Sequence, residues 1–505
     1  MSWLVRIFLL AIILVALDSA AGARPFDRET RNAIDDLMKD ALHAWKVPGA
    51  ALGIVQDGKV VYLKGFGVRE LGKKDPVSPD TVFPIASCTK SFTSLAMAIL
   101  VDDGKMDWDD PVRKHVEFFH LSDPLADSQV TLRDLVTHRT GVAGHHLLWY
   151  RAPWNLEERI RKVGKLELSK SFRSAFQYQS ILFGTAGYAV GKAAKTTWEN
   201  FVKKRILVPL EMKDTTMTTE PAKAQEHASP HMKNKQGKVE VIPWYEITEP
   251  DPAGSINSSA RDLLKFLRFH LGDGKPLVSE ANLEETHAPQ IVVPRKGFAQ
   301  IMNPDTFQLS YAMGWVVQDY RGRHMLLHGG AIDGFRAHFT LIPQAKLGIV
   351  LLNNLNNTQM NIAVSNSLVD LILDLPGKDW NRYYLKIEAE EERLQKAGPV
   401  VFRKMQHKGT KPSRPLEAYT GIYEDPAYGQ AKITLEKGSL VWSWSTFKLP
   451  LEHFHYDTFI ANNDVLTNAT FVFSLDFAGD VTAMQALERT FRKKARDIKK
   501  EPRTK

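Results

Sequence analysis

The sequence predicts an α+β chain: a mixed sheet flanked by a helical region, followed by a small antiparallel β domain. Three observations carry this expectation. Strand-like runs stand near both ends of the first 378 residues, helical spacing dominates between them, and the composition shifts at Asp379. At 505 residues the chain exceeds what one hydrophobic core usually supports, and 44% hydrophobic against 25% charged residues is the balance of a globular protein.

Residues 1–23 hold Arg6, an apolar run from Ile7 to Leu17 and the small-residue end Ala21-Gly22-Ala23. The run falls short of the roughly 20 residues that span a bilayer, so it reads as a signal peptide cleaved after Ala23. That implies a secreted or periplasmic protein. Helical spacing follows at Ile34, Leu37, Met38, Leu42 and Trp45, stopped by Pro48. Ala50 to Val55 and Lys59 to Gly65 then form a hairpin across Asp57-Gly58, a dipeptide suited to a tight reverse turn. From Ser87 to Val101 the apolar positions Phe92, Leu95, Ala96, Ile99 and Leu100 mark a helix with a buried face, closed by Gly104.

Residues 105–325 read as mostly helical with long loops, and Ser259 to Leu271 is the clearest helix. Strand character returns at Met325 to His328 and Arg336 to Asn353. One sheet therefore draws on both ends of a domain spanning residues 24–378. A charged helix at Arg382 to Lys396 and a Lys, Gly and Pro linker up to Pro415 occupy residues 379–415. Short alternating strands at Tyr419 to Tyr423, Ala431 to Leu435, Leu440 to Trp444 and Phe471 to Phe477 make residues 416–488 the β domain, and 489–505 a basic tail.

Cys88 is the single cysteine, which excludes an intramolecular disulfide and a multi-cysteine zinc site; it reads as a small buried residue. His453 and His455 share a strand face, where aromatic packing is the better reading than a metal site. The motifs imply no cofactor and no metal. A net charge of +8 and a pI near 9.1 admit anionic partners such as cell-wall polymers, and the basic residues lack the aromatic interleaving of a nucleic-acid surface. No oligomeric state follows from the sequence.

Ser87-Cys88-Thr89-Lys90 opens a helix, where positions three apart are neighbours and the lysine amine reaches the serine hydroxyl. Burial and positive potential at a helix start would favour a neutral amine able to take the serine proton. Ser445-Thr446-Phe447-Lys448 has the same spacing inside the β domain, where a strand turns residues three apart to opposite faces. That second match reads as chance.

In this setting Ser87-x-x-Lys90 resembles the first motif of the serine β-lactamase and penicillin-binding protein superfamily, especially its class C group. Tyr178-Gln179-Ser180 resembles that family's Tyr-x-Asn motif, and His328-Gly329-Gly330 its third, strand-borne motif. Leu135 to Gly141, Pro252 to Asp262 and Gly330 to Phe335 have the same familial look, so the likeness spans about residues 28–375. It implies a β-lactamase/transpeptidase-like fold and an exported serine hydrolase that cleaves an amide or ester through a Ser87 acyl-enzyme. The substrate would be a small molecule or peptide: a D-amino acid peptide, a β-lactam or a short ester. A non-catalytic relative that binds a ligand or cell-wall peptide is the alternative.

By the same resemblance Lys90 and Tyr178 are the proton-transfer pair, with the tyrosine pKa depressed by the lysine. His328 faces a substrate carboxylate or assists proton traffic. Gly329 and Gly330 let substrate approach the strand, and the amides of Ser87 and Ala331 form the oxyanion hole. Ser180 replaces the family's asparagine with a shorter side chain, which tilts the reading from β-lactams toward esters or peptides, as in family VIII esterases.

Overall fold

The computed structural model describes residues 24–463 and 465–494. The expected signal peptide and cleavage site, and the tail beyond residue 494, lie outside them. Helix α1 (Arg28–Trp45) starts at Asp27, whose carboxylate accepts the Thr30 amide, and ends on Lys46 in the left-handed conformation. It buries Ile34, Met38, Ala41 and Trp45 against one face of an eight-stranded sheet.

The sheet strands are β1 (Gly49–Gln56), β2 (Lys59–Gly67), β3 (Ile291–Val292), β4 (Leu309–Tyr311), β5 (Val316–Tyr320), β6 (Arg323–Ile332), β7 (Phe335–Ile342) and β8 (Leu347–Asn353), in the order β2-β1-β8-β7-β6-β5-β4-β3. The expected joining of chain ends is the β1–β8 pair, Ala50 opposite Asn353. Every pairing is antiparallel, which narrows the expected mixed sheet, because hairpins rather than helical crossovers join most neighbours.

On the other face lies the helical region. Helix α2 (Thr89–Asp102) is buried on all sides from Thr89 to Leu100, more completely than the single buried face its apolar spacing predicts, because polar Lys90, Ser91, Thr93 and Ser94 are enclosed as well. Phe92 stacks on Phe266 of α5 (Ala260–His270) with centroids 3.8 Å apart. Helices α3 (Leu156–Val163) and α4 (Ser180–Ala194) complete the layer. Gly187 in α4 sits where a side chain would strike Pro252 Cγ at 2.1 Å, so the helix presses directly on the 251–254 loop. Helix α6 (Met360–Ile372) and the long α7 (Trp380–Lys404) pack with α1.

The C-terminal β domain is a closed eight-stranded barrel: β9 (Gly421–Asp425), β10 (Gly429–Glu436), β11 (Ser439–Trp444), β12 (Phe447–His455), β13 (Thr458–Ala461), β14 (Ala469–Leu475), β15 (Val481–Ala486) and β16 (Arg489–Lys493). The basic run expected to be a tail thus begins as the closing strand. Phe491 is buried there, and β16 pairs with both β15 and β9, which leaves the barrel no free edge. Trp442, Trp444, Tyr423, Phe471 and Phe473 fill the interior. The two histidines are held locally: a bulge separates them, His453 Nε2 meets the Tyr456 carbonyl at 2.8 Å, and His455 Nδ1 accepts the His407 amide at 3.3 Å.

Candidate active site

Ser87 lies in a single 3-10 turn, Ala86–Cys88, just before α2. Ala86 adopts φ 46°, a left-handed conformation that costs a non-glycine residue about 1–2 kcal/mol. The neighbouring contacts enforce it. Strand β5 pairs with β6 only from Arg323 to Leu327, so residues 328–332 present a free edge. Gly330 on that edge sits where a Cβ would lie 2.0 Å from the Ile85 carbonyl oxygen, and the Cys88 thiol donates to the His328 carbonyl at 3.4 Å. Gly330 therefore admits the protein's own serine-bearing turn rather than substrate. Gly329 has open space around it, as the expectation required of both glycines.

Lys90, one turn after Ser87 and at the start of α2, is fully buried. Its Nζ donates to Ser87 Oγ at 3.2 Å, Ser180 Oγ at 3.4 Å and the Ala253 carbonyl at 2.8 Å. All three partners are neutral, and burial lowers its pKa to about 7, opposed by the more distant Asp251 carboxylate. Ser180 reaches the lysine despite its short side chain.

Tyr178 lies beside Ser87, and the Lys90 ammonium stands 4.9 Å from its ring centroid. Burial moves its pKa up, against the expected depression. A lysine that is itself half-neutral near pH 7 supplies too little charge to offset that desolvation, so Tyr178 stands as a neutral phenol.

His328 is likewise turned inward. Its Nδ1 lies 2.8 Å from the Gly329 carbonyl, which can only accept, so Nδ1 carries the proton and Nε2 accepts from Tyr311 Oη at 3.1 Å. Burial and the Lys90 charge lower its pKa to about 3. A neutral imidazole with both nitrogens engaged offers no cation to a substrate carboxylate, contrary to that part of the expectation. Ala331 is exposed beyond Gly330 on the same strand.

Two further groups shape the site without having been assigned roles from sequence. His138 Nδ1 accepts the Gln179 amide at 3.0 Å and its ring packs tilted against Tyr178, fixing the Tyr178-Gln179-Ser180 turn. Asp251 accepts the Ala253 amide at 2.8 Å, Trp149 Nε1 at 2.9 Å and Arg159 Nη1 at 2.7 Å, which aims the Ala253 carbonyl at Lys90. Both residues lie in or beside stretches whose familial look was noted, but which partner each would meet depends on contacts 41 and 92 to 102 residues away. Among the described residues no group of three or more His, Cys, Asp or Glu side chains is placed to hold a metal.

The Beta-lactamase family model matches residues 32–373. The chain belongs to this family. A domain of unknown function (DUF3471) matches residues 405–500, the barrel and its approach. The chain is similar to the unguisins hydrolase ungD′ of Aspergillus campestris, 29% identical over 418 residues that cover 79% of this chain and 76% of that one. The octameric penicillin-binding protein homologue from Pyrococcus abyssi shares the fold over 92% of this chain and 99% of its own, with TM-score 0.61 and 22% identity. The D-amino acid amidase from Ochrobactrum anthropi does so over 68% and 98%, with TM-score 0.57 and 24% identity. Within the β-lactamase family this protein is a serine hydrolase.

Proposed function

We propose that this hydrolase acylates itself at Ser87 and cleaves an amide or ester of a small molecule or peptide. The observation that carries the reading is the Lys90 amine, buried among neutral acceptors 3.2 Å from Ser87 Oγ. With a pKa near 7 it takes the serine proton as Oγ attacks the substrate carbonyl. The tetrahedral oxyanion meets the amides of Ser87 and Ala331. Tyr178, still protonated beside Ser87, passes its proton to the leaving group and regains one from Lys90; water then releases the acyl group.

Two features count against a β-lactam as the preferred substrate. Ser180 stands where a longer amide would hold a β-lactam side chain, and His328 is neutral. The similarity to an unguisins hydrolase supports hydrolysis as the activity. Export belongs to the same proposal, with a mature chain beginning at Arg24.

The test is mass mapping of a fluorophosphonate adduct on the mature protein. A label on Ser87 that vanishes in Ser87→Ala is expected; undiminished labelling of that variant overturns the assignment. Parallel assays with a short ester, a peptide amide and a chromogenic cephalosporin rank the substrates.

A further inference from the structure

The barrel touches the catalytic domain at an unusual place. The loop from Ala143 to Trp154 carries two non-glycine residues in the left-handed conformation, His145 at φ 41° and Arg151 at φ 55°. These two are the ones the barrel holds. Tyr428 Oη meets His145 Nδ1 at 3.0 Å, and Ser445 Oγ donates to the Arg151 carbonyl at 2.7 Å. Near the end of the loop, Trp154 packs between Trp444 and Gly429 of the barrel, and Lys162 Nζ, which lies over the Trp154 ring, donates to the Ala427 carbonyl at 2.9 Å.

Between the two held residues the loop reaches into the active site. Trp149 Nε1 donates to Asp251, the carboxylate that aims the Ala253 carbonyl at Lys90, and the indole packs 3.2 Å from where a Cβ on Gly254 would stand. Tyr150 Oη donates to Asp333 at 2.7 Å, immediately after the β6 edge that carries Ala331. The Arg151 amide donates to Tyr245 Oη at 2.9 Å. Strained backbone persists only where its surroundings over-determine it, and here the barrel supplies two of the restraining bonds.

We propose that the C-terminal barrel is a brace for the catalytic site: Tyr428 and Ser445 are positioning residues that hold the 143–154 loop so that Asp251 and Asp333 set Lys90 and the β6 edge. This rests on the reading of Ser87 and Lys90 as the reacting pair. The barrel's work in this protein is then mechanical, and its grip reaches Lys90 through the chain Ser445, Arg151, Trp149, Asp251, Ala253.

The test compares the full-length protein with the double variant Tyr428→Phe/Ser445→Gly, which keeps the stacked ring and suits the left-handed φ of residue 445 (53°). Arg403→Ala, which breaks the exposed barrel–helix pair with Glu452 away from the loop, is the control. Two hydrogen bonds of ordinary strength predict a roughly tenfold slower fluorophosphonate labelling of Ser87 in the double variant. Faster amide exchange confined to residues 143–154 is expected with it, and a shift of the acid limb of the labelling rate to lower pH as Lys90 loses its carbonyl partner. Arg403→Ala should leave all three unchanged. If wild-type Ser87 is not labelled at all, the reacting-pair reading itself falls. If wild type labels and the double variant, folded by its circular dichroism, labels at the same rate with the same pH dependence, the brace alone is overturned.

Discussion

The chain contains the pattern Ser-x-x-Lys twice, and the two copies meet opposite fates. At Ser87 the pattern enters a helix, and the amine arrives 3.2 Å from the hydroxyl in a buried pocket. At Ser445 it straddles a turn and the start of β12; Lys448 leans into solvent toward Glu436 at 3.1 Å, while Ser445 bonds the Arg151 carbonyl. Spacing becomes chemistry only when backbone periodicity brings the two side chains to one face and burial lowers the lysine's pKa.

The sharpest way to break this comparison is to remove both lysines in turn. Lys90→Met is expected to lower kcat/KM by about 10³-fold, the scale of a lost general base, whereas Lys448→Met leaves it unchanged. Comparable losses in both variants would mean that burial does not distinguish the two copies. Next in size is pH dependence. Because Lys90 acts as the neutral amine and its pKa is about 7, kcat/KM should fall about tenfold per pH unit below that value and level off above it. A flat profile between pH 5 and 8 would assign the proton to another group. Third, Ser180→Asn lengthens the side chain beside Lys90 and should raise cephalosporin hydrolysis relative to ester hydrolysis by roughly tenfold, the worth of one well-placed hydrogen bond. An unchanged ratio removes Ser180 from the specificity account.

Acid stability separates the same two regions. His287, His328 and His338 of the catalytic domain are held neutral by burial, with pKa values of about 3, 3 and 4, whereas His453 and His455 of the barrel are half-exposed. A histidine depressed on folding contributes stability that is whole above its unfolded pKa of about 6.5 and shrinks as pH falls toward the folded value, by about 1.4 kcal/mol per unit for each. Urea unfolding followed by hydrogen exchange at pH 7.5 and 4.5 should therefore show protection lost first in the catalytic domain. Loss in the barrel first would contradict this.

Much of this architecture was legible in residue order. The Asp57-Gly58 hairpin, the helix after Ser87 and the strand at Leu347 each announce themselves through local periodicity, and the ordered motifs at Ser87, Tyr178 and His328 point to one site. What escaped was set by distant contacts. That Gly330 would be filled by the Ile85 carbonyl, that His328 would spend both nitrogens on Gly329 and Tyr311, and that burial would outweigh Lys90 at Tyr178 all depend on what packs against each group. The closing strand Arg489–Lys493 was hidden by its charge: three of its five residues are basic, and only Phe491 is fully buried.

The pairing of β1 with β8 also sets a timetable. Ala50 finds its neighbour in Asn353, and the turn bearing Ser87 finds its floor in Gly330, so neither can settle until some 240 to 300 further residues exist. An unfolded chain carries every reacting residue and yet holds no competent nucleophile. Reactivity is delivered by long-range closure, and a chain still being made is spared its own chemistry.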